Sequence, residues 1–534
     1  MRLSGIQGTR VRKGLRRGAC PRGARPGAGR ARFHPPHLLL VLLLLLGRGS
    51  SALAHVGTLN VVYETQTPPV PVRVVIRPPG VVPGLADIDI RLLTNQPAVQ
   101  RVTVLPVHWR AGLVGAPPPD VAVAVPGEPG LYHAELWLMD LGAYSVHVSL
   151  ETATITNRFI VPVNSLATNL LPMTPLLGGI LLVLGGLLFL LAASIAGAAV
   201  REGVLAPGAV PTAARRWAGL AAGLGAAVIL ALAIWGGRSW WMQEDRGYRN
   251  NKMHQPVPCA VTVRVEGTQR VLQLNVLTNE GRVNFPGLVP DHGKLMHVYL
   301  IQEPGMAALA HVHPVRKTHW QFEATLPPLP AGDYRVYADV THESGYSQTL
   351  TAPARLPEIQ PGSLSGAVPP VDPDDSAFTG QPGPVQEEAD LGDGFVMKWK
   401  RPEKLVAGAG TALQFEVREA GGERVRLEPY MSMLGHAAVR REDGEVFMHL
   451  HPAGSASIAA QQVFQIRAGD SAPRRITPEL MEKYCQLPTA EGGLQPLRFP
   501  YEFPKGGRYR IWVQVKLNGR VRTGVFDAQV QGAH

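Results

Sequence analysis

Two long apolar stretches near the middle of the chain constrain its fold more than any other feature. Leu176–Val200 contains 25 residues without a charge, and Trp217–Trp235 is similar. About 20 apolar helical residues span a hydrocarbon core of about 30 Å, so each stretch predicts a transmembrane helix. Two buried helices of a soluble domain are the alternative, which the length and apolarity of both runs disfavour. We place the helices at 171–200 and 217–238, with a loop at 201–216.

The charges of this loop predict the orientation of the two helices. It carries Arg201, Arg215 and Arg216 against Glu202, and cytoplasmic loops are enriched in Lys and Arg. The loop is therefore predicted to be cytoplasmic, and the regions before and after the two helices to lie outside. This topology corresponds to a bacterial inner-membrane protein with its folded domains in the periplasm.

Residues 1–54 have the pattern of a signal peptide. They contain ten Arg and Lys13 but no Asp or Glu, and small residues follow the apolar run Leu38–Leu46. We expect cleavage after Ala54, and an uncleaved N-terminal anchor is the alternative. This segment supplies eleven of the positive charges, so the formal net charge of +11 leaves the remaining chain close to neutral. A nucleic-acid partner is not expected, because it needs a basic surface on the folded part.

The remaining sequence is typical of β-structure. Residues 55–165 contain seven short alternating runs separated by Pro and Gly clusters, which predicts a β-sandwich. Residues 250–355 and 393–530 show the same pattern. Residues 356–392 are rich in Pro, Gly, Asp and Ser and predict a flexible linker. The expected fold class is mainly β, with three immunoglobulin-like sandwiches and a two-helix transmembrane hairpin between the first and second.

The last two β-regions look like divergent copies of one module. In the first copy, His297 is followed by a His-x-His-Pro run at 311–314, and in the second, His436 is followed by one at 449–452. A Gly-x-Tyr-Arg element comes later in both copies. Because order and spacing are kept, both copies predict a hairpin that carries three histidines.

Turn residues predict the register of the second of these hairpins. Asp443-Gly444 is a strong signal for a two-residue type I′ turn, which would place His436 opposite His451. His449 would lie on the same face, because residues i and i+2 of a strand point to one side. Three imidazoles would then converge on one patch.

The first hairpin gives the equivalent result with a loop of odd length at 304–306. In that register His297 faces His313, and His311 lies beside it. A slip of one residue would move His297 to the opposite face.

Three neutral imidazoles on a rigid hairpin suit Cu(II), Zn or Ni. Nearby thioethers would favour Cu(I), and the sequence places five methionines close by: Met296, Met306, Met431, Met433 and Met448. Met296 and Met448 are each adjacent to a histidine, so they should point to the other face and into a core. The metal-free alternative is a hydrogen-bonded histidine cluster inside a sandwich.

A further copper site is predicted at the new N-terminus. Cleavage after Ala54 would leave His55 first, where its α-amine and imidazole can chelate one ion. A second histidine of the same region, His108, His133 or His147, would complete the site. The alternative is that this histidine has no role, since any residue can follow a cleavage site.

These features resemble small periplasmic sandwich families of the YtkA, FixH and CopC kind. The likeness is carried by Ala54-His55 and by the residues at 294–297, 310–314 and 326–336. Similarity to CopC implies copper carriage with the terminal histidine as a ligand. Similarity to FixH implies a part in supplying copper to a respiratory oxidase.

The sequence therefore favours a membrane-anchored periplasmic protein that binds copper, with zinc as the other metal considered, and that handles copper or supplies it to envelope enzymes. Its expected partners are the membrane and an envelope or respiratory protein. The alternative is a metal-free interaction scaffold. No enzyme is expected, because the sequence has no nucleophile elbow, P-loop, dinucleotide fingerprint or HExxH motif. Whether Cys259 and Cys485 pair is left open.

Overall fold

The structure is a computed structural model, and it describes residues 60–65, 70–95, 98–277, 287–359, 371–382, 387–469, 476, 481, 493–494 and 496–533. The expected signal peptide, His55 and Cys485 lie outside these residues. Cys259 is a free thiol.

The first sandwich consists of nine strands in two antiparallel sheets. Their bounds are β1 (Val61–Thr65), β2 (Val72–Arg77), β3 (Gly84–Leu92), β4 (Val99–His108), β5 (Asp120–Val121), β6 (Val123–Ala124), β7 (Leu131–Leu138), β8 (Gly142–Thr152) and β9 (Thr156–Ser165). The sheets have the orders β1-β2-β3-β7-β6 and β5-β4-β8-β9. Alternate apolar residues such as Val74, Ile88 and Val146 fill the space between them. Each of the seven predicted runs overlaps a strand.

Two helices connect the first sandwich to the second, α1 (Pro175–Glu202) and α2 (Ala213–Asn251). Both are long and apolar enough to cross a membrane. In the most apolar stretch of each helix, only 0% and 6% of the residues are buried. The hydroxyls of Thr174 and Thr212 cap the two N-termini. The predicted helical pair between β-domains is therefore present, and it leaves its apolar side chains exposed.

The two helices pack closely where glycines face each other. A Cβ at Gly197 would lie 2.9 Å from the carbonyl oxygen of Gly219, so only glycine permits this approach. The second helix continues past the predicted end at 238 to Asn251. Its last turns are charged and include an ion pair between Arg249 and Asp245 at 2.8 Å. With 39 residues α2 is about 58 Å long, which is longer than the about 30 Å of a hydrocarbon core.

The second sandwich pairs a four-stranded sheet with a six-stranded one. Its strands are β10 (Cys259–Glu266), β11 (Gln269–Val276), β12 (Leu288–Val289), β13 (His297–Glu303), β14 (Ala308–Val312), β15 (Val315–Arg316), β16 (Gln321–Leu326), β17 (Gly332–His342), β18 (Ser347–Leu356) and β19 (Ser376–Thr379). The orders are β10-β11-β16-β15 and β12-β17-β13-β14-β19, and β18 also pairs with β17. Strand β13 lies in the middle of the larger sheet.

The third sandwich contains two four-stranded sheets and one helix. Its elements are β20 (Glu388–Gly392), β21 (Phe395–Trp399), β22 (Gly410–Glu419), β23 (His436–Arg441), β24 (Phe447–Leu450), α3 (Ile458–Gly469), β25 (Leu497–Glu502), β26 (Gly507–Leu517) and β27 (Arg520–Val530). The sheet orders are β20-β21-β22-β25 and β24-β23-β26-β27. The sequence pattern did not predict α3.

The segment expected to be a flexible linker supplies strands to both sandwiches. Strand β19 pairs antiparallel with β14, placing Ala377 beside Ala310. Strand β20 begins the third sandwich. Without β19, β14 would be an open sheet edge, which proteins commonly cover. The expectation of a linker throughout 356–392 is therefore wrong for these residues.

A tyrosine near the start of a long strand marks all three sandwiches as related structures. Each hydroxyl hydrogen-bonds to the backbone four residues upstream, as in the tyrosine corner of immunoglobulin-like folds. The three pairs are Tyr144 with the Asp140 amide at 3.0 Å, Tyr334 with the Pro330 carbonyl at 2.9 Å, and Tyr509 with the Lys505 carbonyl at 2.7 Å. The hydrogen bonds of Tyr334 and Tyr509 fall at equivalent positions of the two repeated modules. The hydrogen bond of Tyr144 shows the same element in the first sandwich.

The third sandwich contacts the first through ion pairs and a backbone hydrogen bond. Arg498 pairs with Glu64 at 3.0 Å, and Arg77 pairs with the fully buried Glu502 side chain at 2.7 Å. The amide of Glu64 donates to the carbonyl of Ala453 at 2.8 Å. These contacts hold β1 against the segment that follows β24.

Candidate metal centre

The registers of the two histidine hairpins agree with those predicted. In β13–β14, Val298 pairs with Val312, which sets His297 opposite His313. In β23–β24, Ala437 pairs with Leu450, so the next pair outward is His436 and His451. Both predicted registers are confirmed.

The turn of the second hairpin differs from the predicted type. The amide of Arg441 bonds to the Val446 carbonyl, which closes a loop of four residues rather than two. Gly444 has a φ of 76°, but Asp443 lacks the positive φ that a type I′ turn requires. The register survives because both loops are even in length and share a centre.

The histidine faces of the two hairpins meet across the boundary between the second and third sandwiches. Tyr299, on the face of His297, and Ala438, on the face of His436, share one apolar cluster with Trp512. The opposite faces enter the two separate sandwich cores, where Met296 and Met448 also pack, as predicted. The sequence predicts a histidine patch on each hairpin and leaves open whether the two act together, and the structure joins them.

Apolar packing and buried arginines hold these two faces together. Tyr337 stacks on Phe447 with ring centroids 4.1 Å apart. Arg440 of the third sandwich donates to the Tyr337 hydroxyl at 2.8 Å, and Arg510 donates to the Met306 carbonyl at 2.9 Å. The boundary is thus a packed interface with a polar centre.

Seven histidines occupy that polar centre, and all are buried, with exposed fractions between 0 and 9%. We call them the histidine cluster: His292, His297, His311, His313, His436, His449 and His451. Six are the predicted hairpin histidines. The seventh, His292, comes from the turn before β13.

In two members of the cluster, an oxygen acceptor holds the outer ring nitrogen. His297 Nε2 lies 3.0 Å from the Asp291 carbonyl, which can only accept, so this nitrogen carries the proton. His311 Nδ1 lies 2.9 Å from Gln514 Oε1 and 3.3 Å from the Tyr430 hydroxyl. Tyr430 donates its own proton to the Asp374 carbonyl, so it accepts from His311. The inner nitrogens of both rings therefore carry lone pairs.

Carboxylates lie beside a ring nitrogen of two further members, with a hydrogen bond at His313 and only an ion-pair contact at His449. His313 Nδ1 lies 2.9 Å from Asp375 Oδ1, and His449 Nδ1 lies 3.5 Å from Asp339 Oδ2. The Nε2 atoms of both rings are buried and have no hydrogen-bond partner among the described residues. His297, His311, His313 and His449 are called the oriented histidines below.

The inner nitrogens of His297 and His311 face each other at 3.2 Å. With both outer nitrogens protonated, no hydrogen remains to bridge this gap in the neutral rings. Two lone pairs at this distance repel each other unless a cation lies between them. Two nitrogens on one tetrahedral ion, each about 2.0–2.1 Å from it, would be about 3.3 Å apart.

The other three members, His292, His436 and His451, are called the unpaired histidines below. No ring nitrogen of His292 or His436 makes a hydrogen bond within the described part of the chain, and those of His451 have only the Ala456 backbone nearby, without good hydrogen-bond geometry. His292 Nε2 lies 3.3 Å from Asp291 Oδ1 but lacks hydrogen-bond geometry. Buried polar atoms nearly always have partners, so six such nitrogens in one place require an explanation.

The ligand atoms fall into two compact groups. Those of His297, His311 and His313 lie within 4.8 Å of one another, and so do those of the three unpaired histidines. His449 lies between the groups, with its ring centroid 5.2 Å from that of His297 and 4.5 Å from that of His451. The predicted set of His436, His449 and His451 is thus regrouped, because His292 takes the place given to His449.

Burial keeps these imidazoles neutral. It lowers the pKa of every histidine in the cluster, to about 3 for His292 and about 4 for His451. Burial has the opposite effect on the neighbouring carboxyls and raises the pKa of Asp339 and of Asp375 to about 7. Neutral imidazoles are the form that binds a metal ion.

A cavity of about 140 Å³ opens from solvent onto the cluster. His297, His449 and His451 form part of its wall, together with Asp291 and Asp339. Residues of all three sandwiches line it, and Asn60 and Asn164 come from the first. The cluster is therefore buried but reachable from outside.

The histidines proposed to assist His55 lie elsewhere, on the first sandwich. The half-exposed His133 pairs with Asp89 at 3.0 Å, and its ligand atoms group with those of Asp87 and Glu135 at the surface. The other two pack against neighbours, with His147 3.1 Å from the Ser145 hydroxyl and His108 against the Tyr144 ring. The terminal site remains a prediction, because His55 lies outside the described residues.

His292 had no usable spacing in the sequence, although the repeat contains a signal for it. It lies five residues before His297, as Met431 lies five before His436. Both residues adopt a left-handed backbone, with φ of 52° and 48°. Aligning the turns as well as the strands would have drawn attention to this position.

Comparisons with known proteins find one family model that matches part of the chain. A protein-family model described as "Domain of unknown function (DUF8832)" matches residues 260–355 and 389–532. This match covers most of the two sandwiches that carry the histidine hairpins, but less than half of the chain. The chain is thus similar to that family over these two regions. No curated protein matches the chain.

Solved structures give only distant likenesses. Trypsin-activated alpha-2-macroglobulin from Escherichia coli is 9% identical with a TM-score of 0.17, and the match covers 91% of this chain and 24% of that one. Latent PorU from Porphyromonas gingivalis is 7% identical with a TM-score of 0.13, covering 89% and 34%. The chain thus spans about a quarter and a third of these two proteins. A putative membrane anchored protein from Corynebacterium diphtheriae is 8% identical with a TM-score of 0.14, covering 89% and 96%. None of these scores carries an argument about function.

Proposed function

We propose that this protein is a membrane-anchored, periplasmic copper-binding protein whose ion is held by the four oriented histidines between the second and third sandwiches. The two apolar helices would anchor it, and the arginine-bearing loop between them would face the cytoplasm. Its role would be to handle copper or supply it to an envelope enzyme.

The pair of facing lone pairs on His297 and His311 carries this proposal. Their separation of 3.2 Å is close to that of two nitrogens on one ion. A hydrogen-bonded structural cluster would instead place a proton between such nitrogens. The metal-free alternative therefore leaves this contact repulsive, whereas a cation makes it favourable.

The remaining geometry fits an ion whose ligand atoms come from the compact group of His297, His311 and His313, with His449 beside that group as the fourth ligand. Imidazole rings on a tetrahedral ion would have centroids about 5 Å apart. Among the oriented histidines, the ring of His297 lies 5.5 Å from His311, 5.0 Å from His313 and 5.2 Å from His449. Oxygen acceptors behind the rings fix the tautomers, which is a common arrangement around metal-bound histidines.

Copper is preferred over other ions on affinity alone, because imidazole ligands and a tetrahedral arrangement suit zinc as well. Neutral imidazole binds Zn, Cu, Fe and Ni, and Cu(II) has the highest affinity in the divalent series. Zinc accepts the same tetrahedral nitrogen set, so it is the ion against which copper should be compared.

A metal titration of the full-length protein in detergent tests the proposal. The chelator-treated protein would be titrated with Cu(II) and with Zn(II) by calorimetry, alongside a His311→Gln/His313→Gln variant. We expect binding by the wild type, tighter for Cu(II), and at least a hundredfold weaker binding at this site in the variant.

The matched control is His342→Gln, which replaces a histidine that is 1% exposed but lies outside the cluster. It should bind metal as the wild type does. Circular dichroism checks that all three proteins are folded. Unchanged affinity in the double variant, or no binding by the wild type, would remove the proposed site.

A further inference from the structure

We propose that the three unpaired histidines hold a second metal ion, so that the centre binds two ions with ligands drawn from two sandwiches. His292 would come from the second sandwich, and His436 and His451 from the third. This site goes beyond the proposed copper site and shares no ligand with it.

The first argument is the state of the ring nitrogens. Both nitrogens of His292, His436 and His451 are buried and without a hydrogen-bond partner in the described ranges. A neutral imidazole has one donor and one acceptor, and a protein interior normally satisfies both. A metal ion would occupy one nitrogen of each ring, which removes three of the unsatisfied atoms at once.

The second argument is geometric. The ring of His292 lies 5.3 Å from that of His436 and 4.7 Å from that of His451, and the last two are 5.4 Å apart. These separations match those of the oriented histidines and the spacing of about 5 Å expected for rings on one ion. Their ligand atoms also lie within 4.8 Å of one another.

The third argument is a count of ligands. Seven buried imidazoles exceed the four that a tetrahedral ion accepts. If the oriented histidines fill one ion, as proposed above, three ligands remain, and these three form a compact group of their own. Three protein ligands with an open fourth position are typical of sites that react or exchange ligands rather than of closed structural sites.

The cavity supplies that open position. His451 lies in its wall, beside His449 and the carboxylate of Asp291. Asp291 accepts hydrogen bonds from Ser457 at 2.9 Å and from the Ala459 amide at 3.1 Å, so its position is fixed. A water molecule or another small donor can reach the second ion from this side, and the carboxylate favours a cation there.

Metal content measured on two matched variants tests the proposal. The full-length protein, a His292→Gln/His436→Gln variant and a His311→Gln/His313→Gln variant would each be loaded with Zn(II) or Cu(II) and separated from free metal. Elemental analysis should give two ions per chain for the wild type and one for each variant. The His342→Gln control should keep two.

Electron paramagnetic resonance of the Cu(II) form gives a second readout. Two adjacent Cu(II) ions couple magnetically, so the wild-type signal should account for much less than the copper present. Each variant, with one ion, should show a full signal of an isolated Cu(II).

The outcomes separate this proposal from the copper site. One ion in the wild type that is lost only from the His311→Gln/His313→Gln variant would overturn the second site and leave the first. Two ions in the His292→Gln/His436→Gln variant would also overturn it. No bound metal in any protein would overturn both proposals.

Discussion

The two histidine hairpins have the same register and similar burial, yet their imidazoles have different surroundings. In the hairpin of the second sandwich, oxygen acceptors hold the outer nitrogens of His297, His311 and His313. In the hairpin of the third, His436 and His451 have no such acceptor in the part of the chain that the structure describes. The duplicated motif has therefore kept its histidines, whereas the contacts behind their rings differ.

The acceptors around the first hairpin come mainly from outside its own repeat. Asp375 lies just before β19, in the segment that the sequence indicated to be a linker. Gln514 lies on β26 of the opposite sandwich. Of these acceptors only Gln514 crosses the boundary between the two sandwiches, so the orientation of His311 depends on their docking, whereas Asp291 and Asp375 belong to the second sandwich itself. The hairpin of the third sandwich has a carboxylate in ion-pair contact only at His449, and its His436 and His451 have no hydrogen-bonded acceptor among the described residues.

The largest expected consequence of this difference is the pH dependence of stability in the metal-free protein. The pKa of His292 and of His451 is about 3 and about 4 in the folded chain, against about 6.5 when unfolded. Below pH 6.5 the unfolded chain binds more protons at these rings, so stability falls as pH falls. Each contributes roughly 1.4 kcal/mol per pH unit, or about 5 kcal/mol for both between pH 6.5 and 4.5.

Chemical unfolding of the chelator-treated protein at pH 6.5, 5.5 and 4.5 measures this effect, with His292→Gln/His451→Gln as the comparison. Asp339 and Asp375, whose pKa values are raised, act in the opposite direction, since the folded chain binds their protons first. They and the other cluster histidines are present in both proteins, so their contributions largely cancel; Asp291, whose pKa is lowered in part by His292 and His451, adds to the difference in the same direction. Equal pH slopes for the two proteins would show that these rings are not buried as neutral groups.

The next effect concerns the carboxylates behind the oriented histidines. Replacing Asp375 or Asp339 by Asn keeps the size of the side chain but weakens its hold on the ring nitrogen of His313 or His449. Loss of such a contact typically lowers metal affinity by 10- to 100-fold. Competition with a coloured chelator measures this change in the full-length protein.

Asp333→Asn is the matched control, because its carboxylate pairs with Arg355 at the surface and is far more exposed. It should leave the affinity unchanged. If Asp375→Asn binds metal as tightly as the control, the acceptors do not affect metal affinity. The difference between the two hairpins would then have no effect on function.

The sequence was sufficient for the parts of the fold that depend on local patterns. Alternation predicted the three sandwiches, uninterrupted apolarity predicted the two helices, and loop parity predicted both hairpin registers. It was not sufficient for α3 or β19, whose short, mixed segments acquire their structure by packing on neighbouring sandwiches. Propensity is a weak guide where tertiary contacts decide.

In the candidate site, too, the sequence predicted what depends on local structure and missed what depends on tertiary contacts. Parity arithmetic placed His436 opposite His451, because a hairpin is a local structure. It could not show that the two hairpins share one centre, since that depends on docking of faces far apart in sequence. His292 joins the cluster only through this docking, and a turn residue with positive φ has no strand periodicity to reveal it.

The smallest expected effect comes from Tyr299, which has no counterpart in the other hairpin, where Ala438 occupies the matching position. Its ring stacks on His311 at 4.1 Å, and its buried hydroxyl has no hydrogen-bond partner among the described residues. Tyr299→Phe keeps the stacked ring and removes only the unsatisfied group, so the stability of the metal-free protein should be unchanged or rise by about 1 kcal/mol. The midpoint of urea unfolding measures this, and metal affinity should stay within twofold. A loss of more than about 1 kcal/mol would mean that the hydroxyl bonds to a bound water or to one of the imidazoles, and Tyr299 would then be a fifth member of the oriented set.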